Sequence, residues 1–474
     1  MSGNKYLKAG IGYTLGNFLL KGMTFLTLPI FARILTKADY GQYSIFATYE
    51  TMLFVIIGFA IHSSYKNAYY KFQHEGSSDR SEYNSYVTST FILILLSTCV
   101  WFVLSVVFSK PLSRLLGLDT KCLPLLVLFS AASAIITCFN TDVGIRYEYG
   151  KFLAVSFFNA ISSIILSIVL IFTVFNDERY MGRIVGCTAP YVFVAAFLFL
   201  SYFSKARPQK STKPIKWGLR YSLPIIPHGL SQIVLNQFDR IMIMHMINSA
   251  VAGVYSFAYN VYMIITVTAT SIDNVWSPWF FERRNEDNFK AIKRVSSYYM
   301  LLLLAMCVLV ALASPELILI LGGAKYKEAV YCVIPIVTSG FFAFSYNIPA
   351  AVEYYNEKTG GIALATAFAA VINIVLNYFF ILKYGYVAAA YTTLVTYILY
   401  YTVHMILAYR IEGRMLFDVR TVLLASVAVI ANNFLSLRLV DHALIRYAAI
   451  LCIGSVVLML EEKHFGIIRK RIRK

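Results

Sequence analysis

Charge is the scarce ingredient of this sequence. Only 14% of its 474 residues are Asp, Glu, Lys or Arg, while 59% are hydrophobic and the mean hydropathy is +0.66. So little charge cannot clothe a soluble globule of this length, and the chain reads as a polytopic membrane protein without a soluble domain. Cysteine is sparse too: Cys99, Cys122, Cys138, Cys187, Cys307, Cys332 and Cys452 stand singly in or beside apolar runs. No CxxC or metal-ligand spacing occurs, so neither a disulfide framework nor a zinc site is expected, and the thiols read as packing groups. His62, His228, His245 and His404 are too scattered to form a metal site. There is no DxD metal motif, Asp177-Glu178 has no catalytic companion, and the outer loops are short, so an enzyme is not expected. A cleavable signal is not expected either, because the apolar stretch 11–34 is too long for one and contains Lys21.

What is present is a series of apolar segments. Fourteen are long enough to cross a bilayer: 11–32, 43–65, 86–108, 122–144, 152–175, 184–203, 221–246, 253–276, 295–320, 330–352, 361–382, 386–409, 419–437 and 443–460. The expected fold is therefore all-α, with about 14 transmembrane helices and both termini on one side. Counting residues at span ends with their loops, that side holds 28 Lys and Arg and the other 12, which leaves only Lys21 and Arg240 of the 42 inside spans. The preference of basic loops for the cytoplasm then makes both termini cytoplasmic. The formal charge of +18 lies along a membrane surface, where it attracts anionic lipid, and does not imply nucleic acid.

The loop 204–216 carries Pro208, Pro214 and five basic residues. It reads as a linker between an N-terminal lobe, 1–203, and a C-terminal lobe, 217–409, with 410–474 left for two trailing spans and a basic tail. The lobes echo each other. Gly41-x-Tyr43-Ser44 recurs 212 residues later as Gly253-x-Tyr255-Ser256, and Glu148 and Glu357, 209 apart, each precede an Ala-rich span. Parallel repeats of this kind are a transporter architecture, with the substrate site at their interface.

Within span 221–246, His228, Gln232, Asn236 and Arg240 recur at a spacing of four, with Asp239 beside the last. Four residues advance a helix about 40° beyond a full turn, so the set winds slowly along one face. Arginine near the hydrocarbon core costs about 2.5 to 3.5 kcal/mol, so such a stripe faces a water-filled cavity or the interior of a bundle. Span 1 repeats the device with Tyr13, Asn17 and Lys21, the last lying roughly 15 Å into a core about 30 Å thick. Spans 1 and 7 open the two halves, which directs both stripes toward an inter-lobe cavity. The plainer alternative for Asp239 and Arg240 is a polar pair packed between helices near the membrane surface.

Three acids fall within or beside apolar sequence: Glu50, Asp142 and Asp273. A carboxyl in low-dielectric surroundings can take up and release a proton or hold sodium during a transport cycle. The alternative is ion pairing, Glu50 with Lys21 and Asp142 with Arg146. Pro224, Pro227, Pro278, Pro335 and Pro349 mark expected kinks. No cofactor is expected beyond coupling to a gradient of protons or sodium.

The opening pattern resembles a known family: Gly10 and Asn17 lead into Leu28-Pro29, then Ala32-Arg33-Ile34-Leu35-Thr36 and Tyr40-Gly41-x-Tyr43-Ser44. It is similar to the start of polysaccharide-biosynthesis flippases of the Wzx type, in the MOP superfamily that also holds MATE exporters and lipid II flippases. The resemblance implies a MATE-like two-lobed fold of two six-helix bundles plus two C-terminal helices. It further implies alternating-access export of an undecaprenyl-pyrophosphate-linked oligosaccharide across a bacterial inner membrane for O-antigen or other surface polysaccharide. Membrane lipids, a polysaccharide polymerase and its chain-length machinery are the implied partners. In such flippases cavity cations hold the pyrophosphate, a role that passes to Lys21, Arg240 and, at the outer end of span 1, Arg33, which otherwise merely ends the helix. Other readings are a multidrug exporter of the same fold, whose cavity should be acidic, a membrane polymerase or glycosyltransferase, and a scaffold for polysaccharide assembly.

Overall fold

The computed structural model describes residues 25–72, 81–208 and 211–455, with Gly16, Leu19, Gly22 and Met23 before them. Among the described residues there is no strand. The chain divides into two compact units, 1–253 and 254–474. In the first lie α1 (Phe25–Ile34), α2 (Lys37–Ile57), α3 (Tyr65–Lys71), α4 (Ser81–Val107), α5 (Ser109–Leu116), α6 (Cys122–Ile145), α7 (Tyr149–Thr173), α8 (Arg179–Lys205), α9 (Lys213–Ser222) and α10 (Ile225–Met246). Helix α11 (Ser249–Asn285) runs on into the second, followed by α12 (Phe289–Leu312), α13 (Ser314–Gly322), α14 (Val330–Ser345), α15 (Asn347–Tyr355), α16 (Thr359–Tyr384), α17 (Val387–Glu412), α18 (Val419–Arg438) and α19 (Ala443–Ser455).

These helices keep large apolar side chains on their outer surfaces. Leu96, Val103, Phe197, Leu364 and Phe368 are all exposed, a pattern that water penalises and hydrocarbon does not. Ten described helical segments are long and apolar enough to cross a membrane, and α2 with the bent segment Ile61–Lys71 makes an eleventh. The chain is a multi-pass membrane protein. Of the fourteen expected spans, the first and last fall partly outside the described residues, and the place of the seventh is taken by α10, which has the length but is diluted by its polar stripe. Several boundaries move, three of them at proline, while 43–65 is broken at Gly58, after which Phe59 and Ala60 take positive φ. The stretch 221–246 starts its helix only at Ile225 because Pro224 is the N-cap, while Tyr221 and Ser222 close α9. Span 295–320 stops at Leu312, since Pro315 opens the separate helix α13. Pro278 ends nothing: it lies inside the 37-residue α11.

Packing follows the small and polar residues. Between α7 and α8, Gly182 lies against Ile171 and Gly186 against Ser167, with Asn159 and Ser163 also buried on α7, which lets the backbones approach closely where no hydrophobic force drives association. Between α16 and α17 a polar ladder does the same work. Asn377 donates to Asn373 at 2.9 Å, Asn373 to Thr393 at 3.2 Å, and Thr392 to Asn377. Amphipathic α9 presents Lys213, Lys216 and Arg220 outward and packs Trp217 against Phe72 and Tyr86, with Lys71 Nζ 4.5 Å above the indole; this is the pattern of an interfacial helix.

The sequence echo has a structural basis. Thr36 caps α2 by accepting from the Asp39 amide at 3.1 Å, and Asp39 returns the bond to the Thr36 amide. Asn248, 212 residues on, caps α11 by accepting from the Val251 amide at 2.9 Å. Further in, Thr48 bonds back to the Ser44 carbonyl and Asn260 to the Ser256 carbonyl, again 212 apart. The second echo closes on the backbone with a one-residue correction. Tyr147 and Glu357 both adopt positive φ, at 59° and 58°, inside identically bonded turns, so the register is 210 and Tyr147, not Glu148, matches Glu357.

Candidate functional site

Asn17 and Lys21 lie outside the described residues. The stripe on α10 is described in full. Helix α10 packs on α2, where Gln237 meets Thr48 at 3.4 Å. His228 is nine residues from Gln237 and so points from the opposite side of the helix. His228, Gln232 and Arg240 are half-buried and Asn236 is exposed, its amide bonding back to the Gln232 carbonyl at 2.7 Å. Asp239 is buried, and its Oδ1 accepts from the Arg240 amide at 2.8 Å. The stripe therefore offers an imidazole, two amides and a guanidinium along one accessible flank, a set that can hydrogen-bond hydroxyls and hold an anion.

Arg33 is exposed in the last turn of α1. That helix end is stabilised from elsewhere, because Arg179 Nη1 donates to the Ile34 carbonyl at 2.8 Å. A cation that loop counting passed over lies nearby. Arg183, placed by the sequence outside the spans, is in the second turn of α8 with its guanidinium 3.7 Å from the Phe31 ring centroid and 4.9 Å from that of Tyr43. Its Nη1 donates to Ser167 Oγ at 3.0 Å. The signal was the spacing of four between Arg179 and Arg183, which is that of a helix already begun.

The three acids sit in different surroundings. Glu50 on α2 is half-buried, with the Ser133 hydroxyl of α6 as its side-chain hydrogen-bond neighbour. Asp142 is buried at the end of α6 and fully engaged. Arg146 Nε donates to its Oδ1 at 2.8 Å, the Tyr202 hydroxyl donates to its Oδ2, and Arg146 Nη2 reaches Asn84 at 2.6 Å. This network, with Lys151 and Lys205, borders a cavity of about 320 Å³. Asp273 on α11 receives Tyr299 on Oδ1 and, at 2.5 Å, Asn347 on Oδ2. Asp142 and Asp273 thus belong to separate units, each with its own donors.

Sequence reasoning missed two pairs, one fully buried and one with a buried arginine. Glu353 on α15 and His404 on α17 are both fully buried, with Nδ1 and Oε1 2.5 Å apart. Arg446, counted with a loop, is buried in α19 and paired with Glu316 of α13. No pattern announces such pairs, since each partner stands alone in apolar sequence and the fold supplies the other. Among the described residues no cluster of His, Cys, Asp or Glu could hold a metal ion.

Known proteins bear on this geometry. A family model described as "Polysaccharide biosynthesis protein" matches residues 6–284. The Lsg locus putative protein 1 of Haemophilus influenzae is 20% identical over 382 residues, 78% of this chain and 89% of that protein. Among solved structures, the lipid II flippase MurJ in an inward closed conformation is similar with a TM-score of 0.72 at 15% identity, covering 94% of this chain and 98% of that one. An inward-facing multidrug resistance MATE family transporter of the MOP superfamily is similar with a TM-score of 0.58 at 14% identity, covering 82% and 98%. The fold is MurJ-like and MATE-like.

Proposed function

The chain belongs to the polysaccharide biosynthesis protein family, and on that premise we propose that it is a flippase. Its substrate on this reading is an undecaprenyl-pyrophosphate-linked oligosaccharide, moved from the cytoplasmic to the outer leaflet of a bacterial inner membrane by alternating access. The family match over more than half the chain carries the proposal, and the likeness of fold to a lipid II flippase supports it. The α10 stripe supplies what such a cargo requires: donors for sugar hydroxyls and a cation for pyrophosphate. We assign Lys21 and Arg240 to the pyrophosphate, with Arg33 at the margin, and Asn17, His228, Gln232, Asn236 and Asp239 to the surrounding polar surface.

Transport against a concentration difference needs a driving ion. Glu50, Asp142 and Asp273 are the acids we assign to it, as proton or sodium sites. Asp142 differs in that Arg146 already answers its charge, so its occupancy and that ion pair change together. Both termini are taken as cytoplasmic, and a polymerase with its chain-length machinery receives the exported unit.

The experiment is to deplete the protein and ask which leaflet holds the lipid-linked oligosaccharide. Accumulation on the cytoplasmic leaflet with loss of surface glycan is the expected result. Outer-leaflet accumulation of single repeat units would point to polymerisation instead. Sensitivity to cationic drugs without any accumulation would favour a multidrug exporter.

A further inference from the structure

The two units treat their buried acids differently. In the 210-residue register set by the turns at Tyr147 and Glu357, Asp142 matches Val352, beside Glu353, and Arg146 matches Asn356. The first unit therefore balances its acid with a guanidinium, which is positive at every relevant pH. In the second unit that position holds an amide, and Asn356 turns to Glu412 at 3.3 Å and to the Val352 carbonyl at 2.9 Å. Glu353 has His404 in place of the arginine, and imidazole is charged only when protonated.

The pair is enclosed and incompletely bonded. Glu353 Oε1 and His404 Nδ1 lie 2.5 Å apart, both side chains are fully buried, and among the described residues neither Glu353 Oε2 nor His404 Nε2 has a hydrogen-bond partner. The groups facing it are few. From α17 the Tyr400 ring stands 4.5 Å from the His404 ring, and Tyr346, at the junction of α14 and α15, stands 5.2 Å away. Tyr354 lies beside Glu353 on α15. From α16, Thr366 bonds the Tyr400 hydroxyl at 3.0 Å and Gly361 approaches Glu353 Oε2. Asp273 of α11 acts electrostatically on Tyr346. Among the described residues no Lys or Arg pairs with Glu353.

We propose that Glu353 and His404 form a proton-binding site whose occupancy alternates during the working cycle. With one shared proton the pair is neutral, as carboxylic acid with imidazole or as carboxylate with imidazolium. Every placement of that proton leaves Oε2 or Nε2 unpaired, so the buried site is never fully satisfied in this conformation. Uptake of one proton gives carboxylic acid plus imidazolium, with a net charge of +1, and its release restores the neutral pair. Tyr400 and Tyr346 pack around His404, and Asp273 acts on Tyr346 electrostatically. That the proton is exchanged during transport, and not merely bound, rests on the flippase reading.

Two arms test this separately. Infrared spectra of the full-length protein in liposomes, taken from about pH 5 to about pH 9, should contain a titrating carboxylic-acid carbonyl band. Glu353→Gln should remove it, and His404→Gln should change its pH dependence. Glu353→Asp keeps a carboxyl and serves if the glutamine variant fails to fold. An identical titrating spectrum in wild type and a folded Glu353 variant would overturn the site. In cells lacking the gene, Glu353→Gln should restore at least about tenfold less surface glycan than wild type at equal membrane level. Full restoration alongside a lost band would overturn the coupling while leaving the proton site. If wild type itself restores no glycan, the transport reading and the coupling fall together, and the infrared titration still decides whether the pair binds a proton.

Discussion

Gly41 and Gly253 occupy a single helix crossing. A Cβ on Gly41 would lie 1.9 Å from the Ser249 carbonyl oxygen, and one on Gly253 would lie 2.0 Å from the Lys37 carbonyl oxygen. Both obstacles are backbone, so neither can swing aside. Gly41→Ala and Gly253→Ala should each destabilise the protein by more than about 3 kcal/mol, beyond ordinary overpacking. Gly229→Ala, with nothing within 4 Å of its Cβ, is the control and should be neutral or stabilising by up to about 1 kcal/mol. Thermal unfolding of the purified protein in detergent separates the three; equal melting temperatures would mean that the helices do not cross this closely.

Arg446 makes a second relationship that can be broken one side at a time. Its Nη1 donates to Glu316 Oε2 at 2.5 Å and to the Leu312 carbonyl at 2.9 Å, its Nη2 donates to Glu316 Oε1 at 2.7 Å, and Tyr447 adds its hydroxyl at 2.9 Å. Glu316→Gln leaves a buried guanidinium without its counter-charge. The expected loss is about 2 to 3 kcal/mol, at or below the low end for a broken buried pair because Glu316 itself is partly exposed. Burial pushes the Glu316 carboxyl up, but the bonds from Arg446, its own amide and Tyr447 outweigh this and hold it below its ordinary value of 4.5. A depressed folded value means that the stabilisation is complete above about 4.5 and fades as pH falls through the lower folded value. Melting curves of wild type and Glu316→Gln should therefore converge in acid and separate above it; a constant gap would refute the pairing.

Much of the fold was legible because hydrocarbon imposes a simple rule: twenty apolar residues in a row must become a helix. Most segments were placed to within a few residues; the larger errors lie at Pro224, Pro278 and Pro315, where a lost N–H either starts a helix or is absorbed by it, and at Gly58, where α2 ends inside the expected span 43–65. The polar stripe on α10 was legible from its spacing of four. Arg183 was not, because charged neighbours made 177–183 resemble a loop when the helix had begun at Arg179. Glu353 with His404 and Glu316 with Arg446 were out of reach for another reason. Their partners are 51 and 130 residues apart, and no local pattern encodes which distant helix will lie alongside.

The ladder between α16 and α17 should be worth less than its number of bonds suggests. Asn377 donates to Asn373 and accepts from Thr392, all buried. Interhelical hydrogen bonds in membranes average about 0.6 kcal/mol, because the unfolded reference state also finds partners. Asn377→Leu should therefore lower stability by about 1 to 2 kcal/mol, less than Gly41→Ala. Unfolding in a denaturing detergent checks the ranking, and the reverse order would mean that polar contacts outweigh close backbone packing here.

Arg183 separates from the cations proposed to meet cargo. Arg183 is pressed against Phe31 and Tyr43 and bonded to Ser167, whereas Arg240 lies on the accessible flank of α10 with His228, Gln232 and Asn236. A stacked guanidinium contributes about 0.5 to 2 kcal/mol through each ring, and lysine cannot reproduce its flat contact. Arg183→Lys should accordingly lower the melting temperature while leaving export per folded molecule nearly unchanged. On the proposed assignment, Arg240→Ala and Lys21→Ala should do the opposite: normal membrane levels, with surface glycan reduced about tenfold or more, since the proposed phosphate would lose a charged hydrogen bond worth about 1.5 to 3 kcal/mol. Arg240→Lys should recover part of the export, because a point charge still attracts pyrophosphate though it cannot grip it with two bonds. The measurement is surface glycan normalised to membrane-inserted protein in cells lacking the native gene. Full export from the Lys21 and Arg240 alanine variants would remove both from anion binding, and an Arg183→Lys variant that folds normally but does not export would move the anion site to α8.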